Sequence, residues 1–241
     1  MNNALAARVL PQLDETLIAG LPPFARLSGH QIREILEFAS VREVSEGATF
    51  FREGEPADRF FMLLDGFVRV VRITEDGEQV IALHIPAGQL FGIAKALARD
   101  TYPATAEAAC DGIVLSWPVS LWDKFSAEYP GFLTETYRSV GERMGEMNER
   151  LMDLATKHVE QRIANVLLRL VNQTGKQTDD GIEIGFPITR QDVSEMTGCT
   201  LHTVSRLLSA WEKAGIVRSK RKRIVVCRPH ALVELSETPQ R

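Results

Sequence analysis

Residues 189–213 run TRQDVSEMTGCTLHTVSRLLSAWEK, and no other stretch constrains the architecture as tightly. Thr189 can cap a helix over 190–196, and Thr200 a second over 201–213. Gly198 supplies the tight turn that joins two helices at a steep angle. Val193 and Met196 of the first helix face inward, as do Val204, Leu207, Leu208 and Trp211 of the second. Leu201, His202, Ser205 and Arg206 are left near the outward, N-terminal side of the second helix, where a recognition helix meets base edges in a major groove. Among them Arg206 is the best base reader, because a guanidinium fork matches the O6/N7 pair of guanine; His202 and Ser205 stand beside it. Arg190, Gln191, Thr200 and Thr203 are placed to hold phosphates, which sets position rather than sequence.

Downstream, Ile216–Arg218 and Ile224–Val226 flank Ser219-Lys220-Arg221-Lys222-Arg223 and read as a β-hairpin wing with a cationic tip. A basic run alone is more often a solvated loop. Directly after a helix-turn-helix it reads as phosphate contact through Lys220, Arg221, Lys222 and Arg223. Charge is divided to match: residues 1–156 carry 14 Lys+Arg against 23 Asp+Glu, and residues 157–241 carry 14 against 9. An acidic front and a basic back suggest two jobs, the second facing a polyanion.

Working back along the chain, a helix over about 158–173 ends at Gly175, and the polar stretch 176–185 turns at Asp179-Asp180-Gly181. Before it, Leu133, Tyr137, Val140, Met144, Met147, Leu151 and Leu154 alternate steps of four and three, with Arg138, Glu142, Arg143, Glu146, Glu149 and Arg150 between them. A narrow stripe with charged flanks predicts a helix that pairs with its own copy, the rival being a helix lying on its own barrel. From about 41 to 118, short apolar runs are punctuated by glycine. Phe60–Leu64, Phe67–Ile73 and Val80–Ile85 read as strands, with a hairpin turn at Glu75–Glu78. Such spacing predicts a small barrel or jelly roll. Residues 3–19 and 28–40 read as helices around Gly20-Leu21-Pro22-Pro23, the second capped by Ser28.

The composition, 44% hydrophobic and 25% charged over 241 residues, is that of a soluble globular chain of one or two domains. No apolar run approaches the ~20 residues that span a bilayer, so no membrane partner is expected. The segment MNNALAARVLPQLDET has no basic stretch followed by a long apolar core, so no secretory signal is expected. Cys110, Cys199 and Cys227 lie far apart, which fits a reducing cytoplasm. The sequence has no Gly-rich phosphate loop, no zinc-spaced Cys/His set and no Gly-x-Ser-x-Gly elbow, so no enzyme is expected. A ligand-binding regulatory subunit of an enzyme or channel would share the barrel, but would not need residues 189–226.

The order of parts resembles the CRP/FNR family over nearly the whole chain. The matching pieces are Gly54-Glu55-Pro56-Ala57, Phe60–Val70, Pro86-Ala87-Gly88-Gln89-Leu90-Phe91-Gly92, the long helix, and Arg190-Gln191-Asp192-Val193 with Thr203-Val204-Ser205-Arg206. The resemblance implies an α+β chain: a sensor β-roll of cyclic-nucleotide-binding type over 1–129, a dimerisation helix over 130–157, and a winged helix-turn-helix over 158–241. It further implies a homodimeric transcription regulator that reads palindromic double-stranded DNA operators; an activator working with RNA polymerase is the expectation, with repression left open beside it. Many members have Glu where His202 stands; the expectation is a TTG-like half-site read through Arg206 with altered choice at the adjoining pair.

The resemblance also bears on the signal. Members that bind cyclic AMP hold it with Gly-Glu and Arg-Ser, whereas Gly92-Ile93-Ala94 and Tyr102-Pro103 stand here. With no cation left for a phosphate, cyclic AMP is not expected. Residues 1–109 contain no cysteine, so no four-cysteine iron–sulfur cluster is expected. What remains is an apolar sensor pocket of Ile93, Ala94, Tyr102, Pro103 and Ala104, with Met144 and Met147. Tyr102–Ala108 resembles the nitric-oxide-responsive branch, the denitrification regulators, some of which are thought to use haem. His84, His30 and His158 are then the candidate ligands, against the ordinary reading of each as a surface or packing histidine. Cys199, at the recognition helix N-terminus, could act as a redox switch or simply pack in the turn. Regulation without any ligand stays open beside these.

Overall fold

The computed structural model describes residues 15–237. In chain order the front half contains α1 (Glu15–Ile18), α2 (Gly29–Glu37), β1 (Ser40–Val44), β2 (Thr49–Phe51), β3 (Arg59–Asp65), β4 (Phe67–Ile73), β5 (Gln79–Pro86), β6 (Leu90–Phe91), β7 (Thr105–Ala108), β8 (Gly112–Pro118), α3 (Trp122–Glu128) and α4 (Pro130–Thr156). The strands form two four-stranded antiparallel sheets, ordered β1-β8-β3-β6 and β2-β7-β4-β5. This is the expected β-roll.

Alternation explains why Phe60–Leu64 is apolar throughout. Phe61 and Leu63 point between the sheets, into a core with Phe51, Val68, Ile85, Phe91 and Val114. Phe60 and Met62 point the other way, against Ile32, Ile35, Trp117, Phe125 and Phe132, under the helices. Strand β3 is thus buried on both faces. Trp117 is fully buried, stacks on Phe60 with ring centroids 5.3 Å apart, and donates its Nε1–H to the Ile35 carbonyl at 2.9 Å. Ser28 caps α2 through Gln31 as read from the sequence. Of the helix expected over 3–19, residues 3–14 lie outside the described residues.

The 27 residues of α4 span about 40 Å. Its apolar stripe divides. Leu133 and Val140 pack against the helix-covered core of their own roll, so the stripe is not uniformly free to pair. Tyr137, Met144, Met147, Leu151 and Leu154 are each half exposed or more, and Met152 joins them. The flanking charges are not all solvated either. The Arg143 guanidinium donates to the Leu90 carbonyl, and that of Arg150 to the carbonyls of Ile81 and Ala82.

The back half comprises α5 (Val159–Thr174), β9 (Lys176–Thr178), β10 (Gly181–Glu183), α6 (Arg190–Thr197), α7 (Leu201–Lys213), β11 (Val217–Lys220), β12 (Arg223–Val226) and α8 (Pro229–Glu237). Its sheet runs β11-β12-β10-β9. The polar stretch after α5, expected only to turn, therefore contributes two short strands. Ile163, Leu167, Leu170, Val193, Val204, Leu208 and Trp211 form one core with Ile224 and Val226.

Candidate nucleic-acid interface and ligand cavity

Thr189 caps α6 by accepting from the Asp192 N–H at 3.0 Å, while the Asp192 carboxylate accepts from the Thr189 N–H at 2.6 Å. Gly198 ends the helix with φ +62°, a left-handed conformation that costs glycine little. Thr200 then caps α7 through the Thr203 N–H, and the two hydroxyls lie 2.9 Å apart. Val204, Leu208 and Trp211 anchor α7 in the core. His202 and Arg206, one turn apart, are exposed on the opposite side, with Ser205 partly exposed beside them.

The wing is the hairpin β11–β12, paired from Val217↔Val226 to Lys220↔Arg223. Arg221 and Lys222 form its two-residue turn at φ 49° and 63°. A groove of about 430 Å³ lies between the start of α6 and the wing, lined by Thr189, Arg190, Gln191 and Ser219–Ile224. Lys220, Arg221, Lys222 and Arg223 are all exposed there; Lys222 meets Glu46 of the roll at 2.6 Å, and Arg223 meets Glu183 at 3.1 Å. Gln191 is exposed and bonds Glu195.

Arg190 departs from the expectation that it holds phosphate. Its guanidinium is spent inside the domain, on Glu212 at 3.0 Å, the Ser209 hydroxyl at 3.1 Å, the Ser219 hydroxyl and the Ser205 carbonyl. It ties α6 to α7 and the wing. Cys199 is likewise held in the turn: its Sγ accepts from Arg162 at 3.3 Å, and its carbonyl accepts from the Ser194 hydroxyl at 2.5 Å.

The back half rests on the roll. Arg69 of β4 meets Asp192 at 3.1 Å, Gln79 donates to Glu195 at 3.1 Å, and Arg150 of α4 donates to the Met196 carbonyl at 2.7 Å. Phe186 packs on Phe67 and His84, with centroids 4.5 and 4.7 Å away.

A second cavity, about 540 Å³, lies between the roll and α4. Ile93, Ala94, Tyr102, Pro103, Ala104, Met144 and Met147 all line it, with Phe51, Phe91, Leu83 and Ile85. Gly92 sits at φ +66°, and a Cβ there would stand 2.8 Å from the Phe61 ring. The Tyr102 hydroxyl is turned away, donating to the Arg59 carbonyl at 2.6 Å.

Two expectations about this cavity fail. The first is the absence of cations: Arg72, Arg99 and Arg143 all line the wall. Arg143 comes from α4, not from the Tyr102-Pro103 stretch where the resemblance places a phosphate-binding arginine, so the local motif carries no sign of it. The second is His84 as a haem ligand. Its neighbours Leu83 and Ile85 face the cavity, and strand alternation turns His84 out, against Phe186. There it lines a void of about 30 Å³, and its Nδ1 is buried without a partner. Burial lowers its pKa to about 4, outweighing the pull of Asp192. His30 is exposed beside Glu34, and His158 precedes α5. None of the three lines the cavity, so the residues present do not fit a histidine-ligated haem there.

A β-roll with a cavity against the long helix, an exposed apolar stripe on that helix, and a winged helix-turn-helix together define the architecture of a DNA-binding transcription regulator. Comparison with known proteins agrees. Residues 41–129 match the cyclic nucleotide-binding domain family, and residues 161–235 match the Crp-like helix-turn-helix domain family. The fumarate and nitrate reduction regulatory protein of Vibrio cholerae is 28% identical over 207 residues, 86% of this chain and 81% of that protein. Electron transport regulator A of Shewanella oneidensis is 27% identical over 203 residues, 84% and 80% of the two chains. The solved structure of FixK2 from Bradyrhizobium japonicum shares the fold, with a TM-score of 0.73 at 23% identity, covering 84% of this chain and 99% of that one. The chain belongs to the CRP/FNR family of DNA-binding transcription regulators. Regulators of this family bind DNA operators and act as dimers.

Proposed function

We propose that two copies pair along the exposed part of α4 and present two α7 helices to a TTG-like inverted repeat. Arg206 reads the guanine of each half-site, and His202 alters the choice at the adjoining pair. The observation that carries this reading is the joint exposure of His202 and Arg206 on the face of α7 that the core leaves free, beside a basic wing. Selection from a randomised operator library tests it, followed by gel shifts at rising salt. An inverted repeat with affinity falling steeply in salt is expected; recovery of no repeat overturns the reading. Activation through RNA polymerase follows from the family resemblance and is checked by in vitro transcription from the selected site.

The signal in this proposal is a small molecule held in the cavity against α4. Its wall offers aromatic and aliphatic surface and guanidinium groups. Among the described residues it offers no Asp, Glu, Asn, Gln, Ser or Thr side chain to accept from ribose or adenine, which argues against a cyclic nucleotide. Haem as a nitric oxide receptor lacks a histidine here. An absorption spectrum after haemin addition tests that reading; a Soret band lost on Met144→Ala or Met147→Ala would restore it with thioether ligation. Occupancy would reach DNA through α4, because Arg150 joins β5, α4 and the end of α6 in one set of hydrogen bonds. Equal operator affinity with and without the signal would remove this route.

A further inference from the structure

The Arg143 side chain reaches from α4 into the cavity wall, where two acids act on it from a distance and none pairs with it among the described residues. One nitrogen, Nη2, donates to the Gln89 Oε1 at 3.0 Å and to the Leu90 carbonyl at 2.5 Å. These two acceptors fix the fork in place. The Nε is buried and has no partner. Among the described residues, no carboxylate lies within ion-pair distance of Arg143; Glu142 and Glu146 pull its pKa up, but the Glu146 carboxylate accepts from Gln173 at 2.8 Å instead. Burial wins over both acids and brings the Arg143 pKa down to about 10. Against this stand the other two arginines. Arg72 is held by Glu53 at 2.8 Å, and Arg99 is exposed at the rim.

A largely buried cation without an ion-pair partner is costly unless an anion arrives. Around it the wall is Phe91, Leu83, Val140, Met144 and other apolar groups, which reward an apolar body. We infer that the cavity takes a small carboxylic acid with an apolar body, aromatic or medium-chain, whose carboxylate accepts from the Arg143 guanidinium. This rests on the reading of the chain as a ligand-controlled regulator and names the class of its ligand. Met144 and Met147 line the cavity and also stand in the exposed stripe of α4, so an occupant touches the surface that pairs.

The test is calorimetric titration of the full chain with octanoate and 3-phenylpropionate, and with their neutral amides. A charge-assisted hydrogen bond is worth ~1.5–3 kcal/mol, so each acid should bind about tenfold or more tightly than its amide. Arg143→Gln should make acid and amide equal, and Arg143→Lys should keep part of the preference. Because Arg143 also holds Gln89, a second variant guards against misfolding: Ala104→Phe fills the cavity and should abolish binding of both probes, with the thermal melt reporting the fold. Amides that bind as tightly as acids, an acid preference that survives Arg143→Gln, or binding of cyclic AMP but of neither acid would each overturn the inference. Gel shifts on the same preparations separate the two levels. Intact binding to the repeat without acid preference removes only the ligand class; loss of all repeat binding removes the regulatory reading.

Discussion

Arg206 stands free on the outer face of α7, so its loss should be felt by DNA and not by the fold. Arg206→Ala is expected to cost ~1–3 kcal/mol of discrimination at one guanine per half-site. Competition gel shifts with single-base operator variants would show a flattened preference there, with the melting temperature unchanged. Arg190→Ala should do the opposite, loosening α6 from α7 and the wing and lowering the melt. His84 gives a third residue-scale prediction. Its folded-state pKa, about 4, lies below the ordinary 6.5, so the unfolded chain binds a proton first as pH falls. The stability it contributes is full above about pH 6.5 and declines towards pH 4, by up to about 3 kcal/mol. Urea melts at pH 7.5 and 4.5 should differ less in His84→Leu than in the parent; equal differences would refute the assignment. The sequence made Arg206 legible because a helix-turn-helix fixes which side of α7 is outward. It hid the roles of Arg190, Arg143 and His84. A side chain's partners lie across the fold, and for these three they come from α7, β6 and the residues before α6.

At the scale of elements, the strands and helices of the roll were legible because their periods are local. The pairing stripe of α4 was legible only as a period. Heptad spacing says which residues share a face, and not that Leu133 and Val140 are covered by their own roll while Leu151 is not. The short hairpin β9–β10 was missed for the reverse reason: Lys176–Thr178 is too short and too polar to show alternation, and β10 is strand-like because it pairs with β12. The wing shows the conflict between folding and function most directly. Its turn puts two ordinary residues, Arg221 and Lys222, at positive φ. Asn-Gly is the pair such a turn favours. Arg221→Asn combined with Lys222→Gly should therefore raise the melting temperature while weakening DNA binding. Each lost phosphate contact should also reduce the slope of log affinity against log salt by ~0.9. A slope that does not change would remove the wing from the interface.

The whole molecule works only if its two reading heads are tied together. Leu151 is 62% exposed on α4 and belongs to none of the hydrophobic cores, so changing it should leave the protomer intact. In a dimer paired along α4, Leu151→Glu would place two buried like charges at the seam, against the apolar surface of Met147 and Leu154. Sedimentation should then show a monomer, while circular dichroism stays that of the parent. Operator affinity should fall far more than any single base contact could explain. Two half-sites lie about one helical turn apart, ~34 Å. Linking two heads makes the second contact intramolecular, which is worth about 10²–10⁴ in affinity. The unlinked heads should keep the base preference of Arg206 on an isolated half-site, weakly and with a shallower salt dependence. A Leu151→Glu chain that stays dimeric would move the pairing surface elsewhere. One that becomes monomeric yet binds the full repeat undiminished would break the link between pairing and recognition.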